Sequence, residues 1–330
     1  MKRSFYIYSD GEIKRKDNTL QFKMSEEGKR DLPVEQISDL YFMSEVTLNS
    51  KLINFTAANG IMMHFFNYYS YYTGSFVPKE SHPAGNILVE QVLHYHVPEK
   101  RMVIARKIIE AAAYNIYRNL RYYNERGKDV QSVMTQIEAL QSSIVFAKTP
   151  QELMGVEGSI RKAYYSAWNT IIDQEISFSQ RIKRSPDNMI NTLISFVNSL
   201  IYTQTLREAY HTQLNPTISY VHEPGVRRFS LCLDISEIFK PLIGDRLIFS
   251  LLNKNQIIEK DFTSGLNFLH LKKEASQKIM QELDEKLKTT IKHKDLGRSV
   301  SYEYLIRLEY YKLIKHLVGE KEYDGFKIWW

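Results

Sequence analysis

The apolar residues of this chain change their period once, and that change limits what the chain can fold into. Over the first 75 residues they come in short runs broken by turn-forming residues. From about residue 86 they recur every three to four positions. The first pattern belongs to strands and the second to helices that bury one stripe. Phe5-Tyr6-Ile7-Tyr8 reads as a strand, and Ser9-Asp10-Gly11-Glu12 after it as a hairpin turn. Ile13 leads into a second run, Asp17-Asn18 is a further turn, and Leu20 to Met24 alternates. Residues 30–34 and 37–42 suggest more short strands. Residues 50–55 suggest a short helix closed by Gly60, and Ile61 to Phe66 a buried strand. Short strands at such close spacing predict a small β-sandwich or roll.

Residues 76–85, rich in Gly, Pro and Ser together with Thr73 to Ser75, read as a linker. Beyond it Ile87, Leu88, Val92 and Leu93 start one helix, and Val103, Ile104, Ile108, Ile109 and Ala112 continue a second after Pro98. Thr149-Pro150-Gln151-Glu152 supplies an N-cap, a Pro at the first helical position and a Glu at the third. Ser185-Pro186-Asp187 opens a helix whose Met189, Ile190, Leu193, Ile194, Val197 and Ile201 leave little polar face, which places it at the domain centre. Gln277 to Arg307 is charged and helical. The expected fold is therefore α+β: a β domain over 1–75, a linker over 76–85, and an all-α domain over 86–330. At 330 residues the chain also exceeds what one hydrophobic core usually supports.

No segment approaches the roughly 18 consecutive apolar residues of a membrane span. The N-terminus lacks the apolar core and cleavage site of a secretory signal. One cysteine, Cys232, makes neither an internal disulfide nor a Cys-based zinc site. These features predict a cytoplasmic protein with no membrane partner. The net charge of +6 favours a polyanionic partner.

Three segments of the helical half hold the informative polar residues. In Gly155-Val156-Glu157-Gly158 a carboxylate sits between two glycines, each costing about 1 kcal/mol within a helix. Either the glycines let another backbone or a substrate approach Glu157, or Glu157 is an exposed partner of Arg161 at i,i+4. His222 lies in Tyr220-Val221-His222-Glu223-Pro224-Gly225. In Leu233-Asp234-Ile235-Ser236-Glu237, Asp234 and Glu237 share a helical face, or form a capping box, or do both. His94 and His96 cannot grip one ion from a helix, since residues two apart do not share a face. Two carboxylates and an imidazole brought together by folding suit a hard divalent cation that keeps positions open for water and phosphate oxygens. Such an ion activates an oxygen nucleophile against a phosphodiester. Arg161, Arg181, Lys183, Arg184, Arg227 and Arg228 are nearby in sequence and are candidates to neutralise DNA phosphates.

These same segments carry a family resemblance. Leu153-Met154-Gly155-Val156-Glu157-Gly158, Tyr220-Val221-His222, and Leu233 to Pro241 followed by Asp245 resemble the three signature segments of the CRISPR-associated integrase family one, "Cas one", in order and spacing. Arg184-Ser185-Pro186 with Asn191 to Ser195 is similar to a fourth, and coverage extends over about residues 1 to 325. Lys240 stands where many members have Arg. The resemblance implies Glu157, His222 and Glu237 as ligands of Mg²⁺ or Mn²⁺, with Asp234 as an acidic accessory in catalysis. It implies a homodimer, a small partner protein, Cas two, and insertion of short DNA spacers into a CRISPR array; the exposed sheet edges expected of a small β domain predict that the dimer forms through residues 1–75. Two rival functions remain: a stand-alone metal nuclease of branched DNA in repair, and a non-catalytic nucleic-acid-binding protein.

Overall fold

The structure, a computed structural model, describes residues 2–24, 28–79, 84–182, 186–226, 228–264 and 269–329. It separates into two compact units, Met1–Ser81 and His82–Trp330.

The first unit contains β1 (Arg3–Ile7), β2 (Gly11–Lys16), β3 (Thr19–Met24), β4 (Gly28–Pro33), β5 (Ile37–Phe42), β6 (Val46–Thr47), α1 (Ser50–Ala58), β7 (Met62–Phe66) and β8 (Tyr72–Phe76). They form two four-stranded sheets, ordered β1-β5-β7-β8 and β4-β3-β2-β6. Ile7, Leu40, Phe42 and Met63 of the first sheet and Ile13, Leu20, Phe22 and Leu32 of the second meet in one core. That shared core is what period-two alternation on both sheets requires. The Asp17-Asn18 turn joins β2 to β3, with Asp17 in the left-handed region at φ 51°. Gly60, at φ 66°, turns the chain from α1 into β7.

The expected hairpin at Ser9 to Glu12 does not form. β1 pairs in parallel with β5, while β2 lies in the other sheet. A turn signal reports only that the chain bends. The ladder partner of β1 comes from 30 residues further on and leaves no local mark.

The second unit contains α2 (Gly85–His96), α3 (Pro98–Asn124), α4 (Gln131–Ser143), α5 (Pro150–Ser166), α6 (Trp168–Ile171), α7 (Met189–Tyr210), α8 (Ser230–Phe239) and α9 (Arg246–Asn253). A ribbon of β9 (Phe262–Ser264) and β10 (Leu269–Leu271) follows, then α10 (Lys273–Lys288). A second ribbon, β11 (Thr290–Lys292) and β12 (Ser299–Ser301), precedes α11 (Tyr302–Leu317). The charged stretch 277–307 is thus two helices split by a ribbon. Among the described residues no helix is long and apolar enough to cross a membrane.

Thr149 caps α5 by accepting from Glu152 N at 3.2 Å, as its sequence requires. The N-cap of α7 is Asn188, which accepts from Asn191 N at 2.9 Å. The helix therefore opens after the expected Pro186, and Ser185 lies outside the described residues. α7 buries Leu193, Ile194, Val197 and Ile201 completely, as its nearly continuous apolar surface demands. α2 behaves differently. Ile87, Gln91 and His94 face inward, while Leu88, Val89, Val92 and Leu93 are exposed. His94 Nδ1 donates to the Glu90 carbonyl, 2.9 Å away, and His96 is exposed.

α8 runs into a π-helical turn, Lys240–Asp245, before α9. Pro241 lacks the N–H that would continue the α-helical ladder. Two buried asparagines one turn apart on α3 bond to carbonyls around this turn. Asn115 donates to Ile238 O at 3.2 Å, and Asn119 donates to Pro241 O at 2.7 Å. A wider turn of this kind changes the direction of the side chains around it.

Candidate active site

α5 carries Glu157 and Arg161 one turn apart, and α8 carries Asp234 and Glu237 one turn apart. His222 sits on the connection between α7 and α8. Glu157, His222 and Glu237 line a single cavity of about 570 Å³, together with Arg161, Lys162, Tyr165, Arg181 and Lys240. Folding thus gathers three residues that are separated by up to 80 positions in the sequence.

Asp234 is fully buried and belongs to the interior of α8, whose N-cap is Phe229. The capping-box reading is therefore incorrect. What Asp234 caps is the neighbouring loop. Its Oδ2 accepts from Tyr220 N at 2.6 Å and Val221 N at 2.9 Å. Its Oδ1 accepts from His222 N at 3.0 Å and contacts His222 Nδ1 at 2.8 Å. A carboxylate only accepts, so Nδ1 carries the proton and Nε2 keeps the lone pair. Burial lowers the proton affinity of His222, but the hydrogen bond and charge of Asp234 more than offset it, leaving the ring above its usual pKa.

Arg161 is buried between three carboxylates. Its Nε donates to Glu157 Oε1 at 3.1 Å, its Nη2 to Glu237 Oε2 at 2.7 Å, and its Nη1 lies 3.7 Å from Asp245 Oδ2. Lys240 pairs with the other oxygen of Glu237. The i,i+4 pair of Glu157 and Arg161 exists, but as one edge of this network and not on a solvated helix face. Burial, and then the charge of Glu237, push the Glu157 carboxyl upward. Burial alone would raise Glu237 too, yet Lys240 and Arg161 hold it down at about 2. Burial lifts Asp245 to about 6 against the pull of Arg161.

Gly155 and Gly158 flank Glu157 on the exposed side of α5. Among the described residues, nothing outside the helix's own backbone lies within 4 Å of where a Cβ would sit at either. Packing among the described residues therefore does not demand glycine there.

The donor set can be tested against the expected divalent ion. Two carboxylates of like charge and an imidazole whose other nitrogen is already bonded have the chemistry of a hard-cation site. As they stand, no three acidic, His or Cys side chains among the described residues are gathered closely enough to grip an ion. Glu237 has both oxygens, and Glu157 has Oε1, turned onto Arg161 and Lys240. The residues fit the ion once those carboxylates rotate from the internal cations toward the cavity.

The expected DNA contacts divide. Arg161 lines the cavity, where its buried guanidinium is paired with carboxylates. Arg181 lines the cavity, with Nη1 on Asn191 Oδ1 at 3.1 Å and Nη2 on Ser195 Oγ at 2.9 Å. Arg228 is exposed and donates to Glu223 O at 2.6 Å. Lys183, Arg184 and Arg227 lie outside the described residues. Lys162, exposed at the cavity wall, was not singled out by sequence. Nothing local distinguishes it among 44 Lys and Arg residues, and only its position five residues after Glu157 points to it.

Comparison with known proteins places this chain in a family. The family model described as "CRISPR associated protein Cas1" matches residues 5–285. The CRISPR-associated endonuclease Cas1 of Fusobacterium nucleatum is 59% identical over 330 residues, covering 100% of this chain and 98% of the relative. A CAS1 protein from Thermotoga maritima matches with a TM-score of 0.88 at 37% identity, over 98% of this chain and 100% of that one. A casposase bound to integration product shares the fold, with a TM-score of 0.88 at 22% identity over 98% of this chain and 93% of that one. By sequence and by fold, this chain belongs to the CRISPR-associated Cas1 family.

Proposed function

We propose that this chain is a metal-dependent DNA endonuclease and integrase of CRISPR spacer acquisition, acting by attack of an oxygen nucleophile on a phosphodiester. The observation that carries the reading is the convergence of Glu157, His222 and Glu237 on one cavity, with Asp234 fixing the imidazole. Glu157, His222 and Glu237 are the residues that would hold Mg²⁺ or Mn²⁺. Such an ion, when bound, polarises a phosphoryl oxygen and lowers the pKa of the attacking water or 3′-hydroxyl. The chain's own residues prepare the site. Asp234 keeps His222 in the tautomer whose Nε2 lone pair is free for a metal ion. Arg161 and Lys240 balance the like charges of Glu157 and Glu237. Lys162, Arg181 and Arg228 are the described basic residues best placed to meet DNA phosphates. The partners in this reading are DNA, a second copy of the chain, and the small protein Cas two. The relative's name as an endonuclease supports the nuclease part.

The test removes each ligand in turn. Glu157→Ala, His222→Ala and Glu237→Ala should each abolish cleavage and strand joining, because ligands of one ion act as a unit. Binding in a gel shift should survive, since phosphate contacts carry most of the affinity. A chelator should stop turnover, and added Mn²⁺ or Mg²⁺ should restore it, without change in the helical circular dichroism. Wild-type turnover in any one variant would remove that residue from the site.

A further inference from the structure

In the connection that carries His222, residues 211–229, the described residues form no helix or strand. Side chains from the surrounding helices therefore set its shape. Asp234 holds one side of it. The other side is held by residues that the proposed reaction does not use. Gln91 of α2, fully buried, donates to Asn215 O at 3.1 Å and accepts from Asn215 N at 2.8 Å. Arg101 of α3 donates from Nε to Tyr220 O at 2.8 Å and from Nη2 to Glu223 Oε1 at 2.9 Å. Those two partners bracket His222 in the chain. Glu223 also accepts from Tyr95 Oη at 3.0 Å and from Gln151 Nε2 at 3.1 Å. Gln151 lies on α5, less than two turns before Glu157. Glu223 thus ties the His222 loop to the helix that bears another proposed ligand.

An exposed ion pair by itself contributes little. This pair has a different setting. The Arg101 side chain is only 12% exposed, and its guanidinium lies 4.5 Å over the Tyr95 ring. One of its two bonds goes to a backbone carbonyl, so its planar fork fixes both the loop's path and the Glu223 side chain.

We propose that Arg101 and Glu223 are positioning residues for His222, clamping its loop against α3 and α5 so that the imidazole held by Asp234 faces the cavity. The inference rests on the reading of His222 as a metal ligand. Groups behind metal ligands change affinity when removed even though they never touch the ion.

The full-length protein and its Arg101→Ala, Arg101→Lys, Glu223→Gln and Gln151→Ala variants are compared in three measurements. These are Mn²⁺ affinity by calorimetry, thermal midpoint, and steady-state turnover of DNA. Arg101→Ala is expected to weaken Mn²⁺ binding by roughly tenfold or more. Turnover should fall in step, with KM for DNA unchanged. Arg101→Lys should recover little, because an ammonium keeps the charge but cannot make both bonds in a fixed plane. A lowered thermal midpoint with Mn²⁺ affinity intact would make Arg101 a stability residue only and overturn the proposal. Full rescue by Arg101→Lys would overturn the geometric argument as well. If Arg101→Ala does not fold, Glu223→Gln and Gln151→Ala decide, and unchanged Mn²⁺ affinity in both counts against the clamp. His222→Ala is the reference arm. If it keeps wild-type Mn²⁺ affinity, the ligand reading itself fails. If it loses that affinity while the clamp variants keep theirs, only the present inference fails.

Discussion

Asp234 takes hydrogen bonds from three consecutive backbone N–H groups and from the His222 ring, all inside the protein. Each of its oxygens serves two donors. Asp234→Asn would turn one oxygen into an NH₂ group, which faces two donors and can accept from neither. Each orphaned buried donor costs about 1–3 kcal/mol. The variant is therefore expected to lose stability on the order of 2–6 kcal/mol in a denaturant titration and to lose most turnover. Stability within about 0.5 kcal/mol of the wild type would show that the loop holds its shape without the carboxylate. This residue also marks where the sequence stops being readable. Glu157, His222 and Glu237 stand out through residue type, flanking glycines and family pattern. The partners of Asp234 lie 12–14 positions away in a loop with no period, and its spacing to Glu237 mimics a helix cap that the fold does not use. The ion pairs of Arg161 are legible only in part: Glu157 is one turn away on the same helix, whereas Glu237 is 76 positions further on.

At the level of elements, helices and strands were legible and their partners were not. α3, α5 and α7 follow from apolar period, a Thr cap and a Pro, all local signals. The parallel pairing of β1 with β5 and the π turn after α8 depend on distant residues, in the second case on two asparagines of α3. The interface of α7 with α11 supplies a test of how firmly the elements are joined. Glu208 of α7 is fully buried and accepts from Arg307 Nε of α11 at 2.7 Å, with Arg207 Nε 4.0 Å from its other oxygen. Burial outweighs both arginines and pushes its carboxyl up to about 7 from 4.5. Between those values the folded protein holds a proton that the unfolded chain has released. The contribution is complete below pH 4.5 and is lost as the pH rises through 7. Glu208→Gln is neutral at every pH. It should flatten the fall in melting temperature over that window while keeping an acceptor for Arg307. A melting curve series that falls as steeply in the variant as in the wild type would assign the pH dependence to other groups, Asp245 first among them.

For the whole molecule, the question is what assembles and which nucleophile attacks. The unit Met1–Ser81 has two open sheets whose edges are β1, β8, β4 and β6. Open edges invite pairing, and a two-fold dimer is the commonest way to satisfy them. A dimer through residues 1–75 is therefore expected, and a chain beginning near Gly85 should sediment as a monomer. If that shortened chain still dimerises, the helical unit holds the interface. The choice between integrase and nuclease is finer, because one site can run both reactions: water and a DNA 3′-hydroxyl are both oxygen nucleophiles that attack phosphorus in line. What separates them is which oxygen is held in near-attack geometry, since positioning can supply several kcal/mol. Joining needs a DNA end and a target duplex held at the cavity together, and the proposed phosphate contacts are Lys162 and Arg181 of the cavity wall and the exposed Arg228 on the His222 loop. A short labelled duplex with free 3′-hydroxyls is accordingly expected to become covalently attached to a repeat-containing plasmid, to need Glu157, His222 and Glu237, and to be helped by Cas two. The matched duplex ending in 3′-phosphate should not attach, because its terminal oxygen is blocked. If both duplexes leave the plasmid equally nicked and neither label transfers, water is the nucleophile. The chain would then be a nuclease with the same metal site, and the integrase reading would fall while the ligand assignment stood.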